Sequence, residues 1–185
     1  VESRGLGDVY KRQTYANGYV KNKVMEFVGP GVASLSADCR NGIDCMTTET
    51  TCWSSIWQTD GVTEEYLAGH GRADAYKELK PADVAYYDGC IELDLSKIEC
   101  MIALPMHPSY AYPIRELKAN AKDLLHEIET RANEQLSGKV KMDLVSKVRA
   151  DGSIYVDQGI VAGCSGGTYE NLCAVADILR GKSCG

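Results

Sequence analysis

Helical periodicity is the clearest hydrophobic pattern in the chain, and it is longest between residues 113 and 136. Apolar side chains recur there every three or four residues, at Ile114, Leu117, Ala121, Leu124, Leu125, Ile128 and Ala132. This spacing predicts one amphipathic helix, with Pro113 in its first turn, where the helix does not use the backbone N–H. Shorter helices are predicted at 38–46, 62–70 and 169–179, and Asp60 is positioned to cap the second.

Strands are predicted where apolar residues alternate with polar ones or form short runs. Residues 90–95 read CIELDL and predict a strand with one exposed face. Residues 101–104 predict a short strand or extended segment, and strands at 140–148 and 153–161 flank an Asp-Gly turn. Residues 45–57 are rich in Thr and Ser, which are unfavourable in helix interiors, so this segment does not clearly predict a long regular helix. The alternation of helices and strands predicts an α/β fold with a mainly parallel sheet.

Composition narrows the class of protein. The chain has 185 residues, enough for one domain or parts of two, and 44% hydrophobic and 25% charged residues are ordinary for a soluble globular protein. A net charge of −6 disfavours a nonspecific nucleic-acid surface. The sequence has neither an apolar run of membrane-spanning length nor a signal-peptide pattern. Its eight cysteines contain no CxxC pair and no zinc-finger spacing, so we expect reduced, mostly buried thiols in a cytoplasmic protein.

The first thirteen residues are treated separately. The chain does not begin with Met, and the segment DVYKRQ at 8–13 resembles a translated sequencing adapter. We expect residues 1–13 to be an artefact of that kind, the alternative being a short natural tail. We also expect the chain to be an internal fragment of a longer protein, because it stops just past a predicted helix.

Residues 159–181 carry the most informative candidate chemistry. A β-branched apolar pair, Ile160 and Val161, leads into a Gly-rich turn that holds Cys164 and opens into the predicted helix 169–179. Backbone N–H groups and a helix N-terminus around a cysteine stabilise its thiolate, the form that binds a metal or an iron–sulfur cluster. The alternative is a buried thiol in a tight turn.

This segment resembles the first cysteine signature of the aconitase superfamily of iron–sulfur hydro-lyases. In that family an apolar strand leads to Gly-Ser-Cys-Thr-Asn, followed by Ser-Tyr-Glu-Asp and an Ala-rich helix. Here GCSGG at 163–167 is followed by TYENL at 168–172, with Ser165-Gly166 in place of Thr-Asn. The resemblance implies that Cys164 is one of three cysteine ligands of a 4Fe-4S cluster, the other two forming a CxxC pair outside this sequence.

The resemblance extends over about residues 24–185 and implies aconitase-like three-layer α/β/α domains with mainly parallel sheets. Residues 14–82 would form the later part of one such domain, and residues 83–185 the first part of the cluster-bearing domain. In the segment GIDCMTTETTCWSS at 42–55, Met46 and Glu49 keep the family's spacing. The resemblance assigns proton handling to Glu49, with a solvated surface carboxylate as the alternative. Cys45 stands where the family usually has Asn.

A third segment, residues 92–117, places His107 in a Pro-bounded loop. This histidine is a candidate contact for a carboxylate substrate, although a loop histidine more often faces solvent. The activity implied by the resemblance is reversible elimination of water from a hydroxy-polycarboxylate such as citrate or aconitate, or from a related acid. The expected partners are that small carboxylic acid and the remaining domains of the same polypeptide, without a membrane.

Two other functions stay open at this point. One is a catalytically inactive aconitase homologue with a binding or regulatory role, favoured by Cys45 and Ser165-Gly166. The other is RNA binding, known for some members of the family, which the acidic net charge disfavours.

Overall fold

The computed structural model describes residues 18–106 and 110–183. The helices and strands in chain order are β1 Val24–Phe27, α1 Ala37–Glu49, β2 Ser54–Trp57, α2 Gly61–Gly69, β3 Met101–Ala103, β4 Ala111–Pro113, α3 Ile114–Ala119, α4 Ala121–Gln135, α5 Gly163–Gly166 and α6 Tyr169–Leu179. Short 3-10 turns lie at Pro30–Ser34, Ala73–Ala75, Leu95–Lys97 and Val145–Lys147.

The strands of the described residues form two small sheets. β1 and β2 pair in parallel, with Val24 opposite Ser54 and Phe27 opposite Trp57. α1 connects these two strands, which gives a β–α–β unit. β3 and β4 pair antiparallel, with Met101 opposite Pro113. The predicted α/β class is confirmed by this combination of helices with a parallel strand pair.

α1 runs three residues beyond the predicted segment. Its first turn is capped by Ser36, whose Oγ accepts a hydrogen bond of 3.1 Å from the Cys39 N–H. At its other end the threonine hydroxyls donate to carbonyls within the helix, from Thr47 to Asp44 at 2.7 Å and from Thr48 to Cys45 at 3.1 Å. Because these hydroxyls are satisfied locally, the Thr-rich sequence continues as a helix to Glu49.

A nearly buried arginine joins α1 to the start of α2. The Arg40 guanidinium donates to both carboxylate oxygens of Asp60, at 2.8 and 2.7 Å, and also to the carbonyls of Val32 and Leu35. Asp60 in turn caps α2 by accepting from the Thr63 N–H at 3.2 Å, which confirms the predicted cap. The Arg40 hydrogen bond holds the pKa of the Asp60 carboxyl below its usual value.

The predicted helix over 113–136 is two helices rather than one. α3 ends and α4 begins at Asn120, whose backbone lies at φ −127° and ψ 34°. Asn favours helix ends over helix interiors because its side chain bonds to nearby backbone, here to the Glu116 carbonyl. Both helices still face one core, whose buried members are Leu104, Leu117, Leu125 and Ile128.

The strands predicted at 140–148 and 153–161 are wrong. The structure has the turn Val145–Lys147 and a single antiparallel bridge between Val148 and Ile154. Side chains of α4 take up the backbone groups that a sheet would use. The Glu129 carboxylate accepts from the N–H groups of residues 144 and 145, and the Asn133 amide pairs with both backbone groups of Met142.

The strand predicted at 90–95 is also wrong. That segment is irregular, and it leads into the 3-10 turn Leu95–Lys97. The Asp94 carboxylate accepts from the N–H and the hydroxyl of Ser96, which turns the chain where a strand would have continued.

Candidate cysteine and carboxylate site

Cys164 lies in α5, a four-residue helical turn, and not directly after a strand. Ile160 and Val161, predicted to end a strand, are irregular and exposed. We call residues 163–167 the Cys164 turn. Gly163 adopts φ +83°, which favours glycine, and the Gly167 N–H closes the turn on the Gly163 carbonyl at 2.9 Å. A Cβ on Gly167 would lie 2.7 Å from that carbonyl oxygen, so the turn requires glycine at both ends.

Polar contacts fix the Cys164 turn and the start of α6 against the start of α1. The Ser36 hydroxyl donates to the Glu170 carboxylate at 2.6 Å, and the Glu170 N–H donates to the Asp38 carboxylate at 2.9 Å. The Asn171 amide donates to the Ser165 carbonyl at 3.0 Å, which ties the helix back to the turn. The TYEN segment therefore positions the turn that presents Cys164.

The Cys164 turn packs on α1, the helix that carries Cys45. In this chain Cys164 is exposed and Cys45 is half-buried. Burial raises the pKa of the Cys45 thiol, and the nearby Cys164 side chain acts in the same direction. The sequence singled out Cys45 only as a departure from the family pattern, because no spacing rule pairs cysteines so far apart.

Glu49 is exposed and lies four residues after Cys45 in α1. Residues four apart lie on the same face of a helix, separated by about 6 Å along its axis. Glu49 therefore lies one helical turn from Cys45. The hydroxyls of the neighbouring Thr47, Thr48 and Thr50 donate their hydrogens to backbone carbonyls at the end of the helix. These hydrogens are therefore used within the backbone and do not orient the Glu49 carboxylate.

Two predictions fall outside the described residues. His107 belongs to residues 107–109, and residues 1–13 precede the first described position, so both stay predictions. Within 18–106 and 110–183, no group of three or more His, Cys, Asp or Glu side chains is arranged to hold a metal ion. The exposed Cys164 thiol is a soft donor that suits iron, and it fits one ligand position of a cluster. None of the helices within these ranges is long and apolar enough to cross a bilayer.

Replacing Gly167 with alanine is expected to open the Cys164 turn, because the added Cβ would lie 2.7 Å from the Gly163 carbonyl oxygen. Amide hydrogen exchange at residue 167 should become faster, since its hydrogen bond closes the turn. Gly166→Ala is the matched control, because a Cβ there meets nothing within 4 Å. Equal exchange rates in the two variants would contradict this account of the turn.

A family model described as the aconitase family (aconitate hydratase) matches residues 10–185. The chain belongs to the aconitase family. Its α/β fold and the sequence resemblance at the Cys164 segment agree with this membership.

Named relatives of this aconitase-family chain are large subunits of dehydratases. It is 30% identical over 158 residues to the 2,3-dimethylmalate dehydratase large subunit of Eubacterium barkeri, covering 85% of this chain and 30% of that protein. It is 28% identical over 161 residues to 3-isopropylmalate dehydratase large subunit 2 of Rubrobacter xylanophilus, covering 87% and 30%. Large subunit 1 of the same enzyme from Pyrococcus furiosus is 29% identical over 160 residues, covering 86% and 30%. The chain thus spans less than a third of the length of these relatives.

Proposed function

We propose that the complete protein is an iron–sulfur-dependent hydro-lyase that reversibly removes water from a small hydroxy-carboxylic acid. The observation that carries the proposal is the exposed thiol of Cys164 on a hydrogen-bonded glycine turn, within a chain of the aconitase family. The glycines at both ends of the turn and the polar contacts of α6 hold that thiol in a defined place at the surface.

The proposed roles of the residues follow from their positions. Cys164 would supply one thiolate ligand to a 4Fe-4S cluster. When bound, such a cluster supplies an open iron that acts as a Lewis acid on a hydroxyl and a carboxylate. Glu49 would accept or return a proton close by, because it lies one turn of α1 after Cys45, on the helix against which the Cys164 turn packs. His107 would contact a substrate carboxylate.

The substrate class follows from the names of the relatives. Two of the enzymes to which the chain is similar are named for alkyl-substituted malates, and the family description names aconitate. All are small acids with two or three carboxylates. We therefore propose a hydroxy-di- or tricarboxylate substrate, with malates carrying an alkyl group as the first compounds to test.

Other parts of the same polypeptide would complete the site. They would contribute the two further cysteine ligands and the residue that removes the proton next to the carboxylate. In this proposal residues 14–82 and 83–185 belong to two domains, and the contact of α1 with the Cys164 turn lies between them. A cytoplasmic location is part of the proposal, on the expectation from the sequence that the thiols are reduced.

The proposal is tested by anaerobic reconstitution of the full-length protein with ferrous iron and sulfide. We expect a broad absorbance at about 400 nm from thiolate-to-iron transitions, with stoichiometric iron and sulfide. Hydration of unsaturated di- and tricarboxylic acids should then be measurable as loss of their ultraviolet absorbance. Protein that folds but takes up no iron would contradict the proposal, and a stable cluster without turnover on any such acid would favour the inactive homologue.

A further inference from the structure

The N-termini of α1 and α6 are joined by two hydrogen bonds that run in opposite directions. α6 begins after Thr168, whose side chain makes no capping hydrogen bond. Its acceptor comes instead from α1, where the Asp38 carboxylate accepts from the Glu170 N–H at 2.9 Å. In return, the Glu170 carboxylate accepts at 2.6 Å from the hydroxyl of Ser36, the residue that caps α1. We call these two bonds the crossed caps, and they join residues 132 to 134 positions apart.

The charges at this contact favour the same arrangement. Each helix N-terminus carries a partial positive charge from its unpaired N–H groups, so two N-termini that meet repel each other. The carboxylates of Asp38 and Glu170 lie at the contact and offset this repulsion. Each of them also lies in the first turn of its own helix, where an acid is stabilising. The contact is therefore favourable in charge as well as in geometry.

The cap of α6 differs from those of the other long helices in where it comes from. Ser36 and Asp60 directly precede α1 and α2, and each caps its own helix. Local caps of this kind start a helix without fixing its position in the fold. Because α6 takes its acceptor from Asp38 on another helix, the bond also determines where α6 begins relative to α1.

The crossed caps extend their effect to the Cys164 turn. Asn171, the next residue after Glu170, donates from its side-chain amide to the Ser165 carbonyl at 3.0 Å. The turn itself packs on α1. A displacement of the start of α6 along α1 would therefore move the turn with it. Glu49 is the last residue of α1, so the crossed caps also determine how the turn lies relative to Glu49.

We propose that Asp38 and Glu170 are positioning residues for the reaction of the complete protein. Neither side chain acts on the substrate. Their crossed caps hold the Cys164 turn against α1, and so keep the proposed iron ligand and Glu49, the proposed proton-handling group, in a fixed relation. The chemical role of the two acids rests on the proposed function, whereas the position of the turn does not depend on iron.

The first test is amide hydrogen exchange in the iron-free full-length protein. Asp38→Ala removes the acceptor at the start of α6 and should accelerate exchange at residues 167 and 170 by about fivefold, the factor expected for loss of a typical helix cap. Asp38 is remote in sequence, so the intrinsic exchange rates of these amides stay unchanged. Asp38→Asn should restore slow exchange, because an amide oxygen accepts the same hydrogen bond.

Two further variants complete the exchange measurement. Glu170→Ala removes the other half of the crossed caps and should also accelerate exchange at residue 167, which gives a second, independent measurement. Asp177→Ala is the matched control, because it removes another carboxylate of α6 whose pair with Arg180 is exposed. Its exchange at residue 167 should equal that of wild type. Circular dichroism establishes that each variant is folded.

The second test separates positioning from a purely structural role in the reconstituted full-length protein. Asp38→Ala should retain iron and lower kcat by at least about tenfold, because small misplacements of reacting groups are costly. The electron paramagnetic resonance signal of the reduced cluster should change shape, since one of the ligand-bearing turns has moved. Asp38→Asn should restore the wild-type signal, and Asp177→Ala should leave both the signal and kcat unchanged.

Each outcome bears on a different part of the proposal. Equal exchange at residue 167 in wild type, Asp38→Ala and Glu170→Ala would overturn it. Faster exchange with an unaltered resonance signal and unaltered kcat would leave Asp38 a structural role and overturn its assignment as a positioning residue. Wild-type protein that binds no iron, together with faster exchange in Asp38→Ala, would refute the proposed function and leave the crossed caps as the determinant of where the turn lies.

Discussion

Replacing Cys164 with serine is expected to reduce the iron content of the reconstituted full-length protein to background. A serine hydroxyl has almost the same size, so the turn is preserved, but it does not ionise near neutral pH and is a poor ligand for a cluster. Because the side chain is exposed, the substitution leaves the packing of the chain unchanged. Iron and sulfide analysis after anaerobic reconstitution, together with the absorbance at about 400 nm, measures the effect.

Two control variants separate ligation from other effects of Cys164→Ser. Cys100→Ser removes another exposed thiol, remote in sequence from both the turn and α1, and should retain iron and turnover. Glu49→Gln should retain the iron and lose most of the turnover, because the amide keeps the shape of the side chain and cannot carry a proton. Unchanged iron content in folded Cys164→Ser protein would refute the assignment of Cys164 as a ligand.

Replacing Asp60 with asparagine is expected to destabilise the chain by about 3 kcal/mol, the lower end of the range for breaking a buried ion pair. The Arg40 side chain is only 6% exposed and would lose its counter-charge, while the Asp60 side chain, at 22%, has some access to water. Asparagine still caps a helix, so the loss is assigned to the ion pair and not to the end of α2. Denaturant unfolding followed by circular dichroism measures the change.

Acid pH provides an internal control for the Asp60→Asn variant. Arg40 lowers the pKa of Asp60 in the folded state, so the pair's contribution to stability is fully present above the unfolded carboxyl pKa of about 3.9. It is lost as the pH falls further, through the lower pKa of the folded state. The difference in unfolding free energy between wild type and variant should therefore narrow below about pH 4. A difference that stays constant down to strongly acid pH would contradict the ion-pair explanation. The matched control is Glu78→Gln, which removes an exposed pair with Lys80 and should change the unfolding free energy little at any pH.

Local signals in the sequence predicted the position of α2 and α6 closely, although they missed the break at Asn120 and the last three residues of α1. The Asp60 cap and the apolar spacing after Tyr169 gave α2 and α6 nearly to their ends, because caps and periodicity act over a few residues. The resemblance at the Cys164 segment gave the family, which the family match confirms. These features are determined by interactions between residues that are close in the sequence.

Contacts between residues far apart in the chain could not be predicted from the local sequence pattern. The strand expected at 140–148 is absent because Glu129 and Asn133, on the preceding helix, bind the backbone of residues 142, 144 and 145. Nothing in the local pattern of residues 140–148 reveals these contacts. The Arg40 ion pair and the contact of the Cys164 turn with α1 also join segments whose spacing follows no periodic rule. Local pattern reading therefore found the helices and missed the interactions that decide how they are arranged.

α1 carries both the buried Arg40 ion pair and Glu49, the residue proposed for proton handling. Its inner side contributes Arg40, Ile43 and Met46 to the interior, while Cys45 and Glu49 lie toward the outside. A rigid helix moves as one body. A substitution that removes the Arg40 ion pair and tilts α1 would therefore also displace Cys45 and Glu49. If Glu49 acts as proposed, turnover lost through a substitution on the buried side of α1 should be restored by a second substitution that re-establishes the packing of the helix, with no reacting group changed.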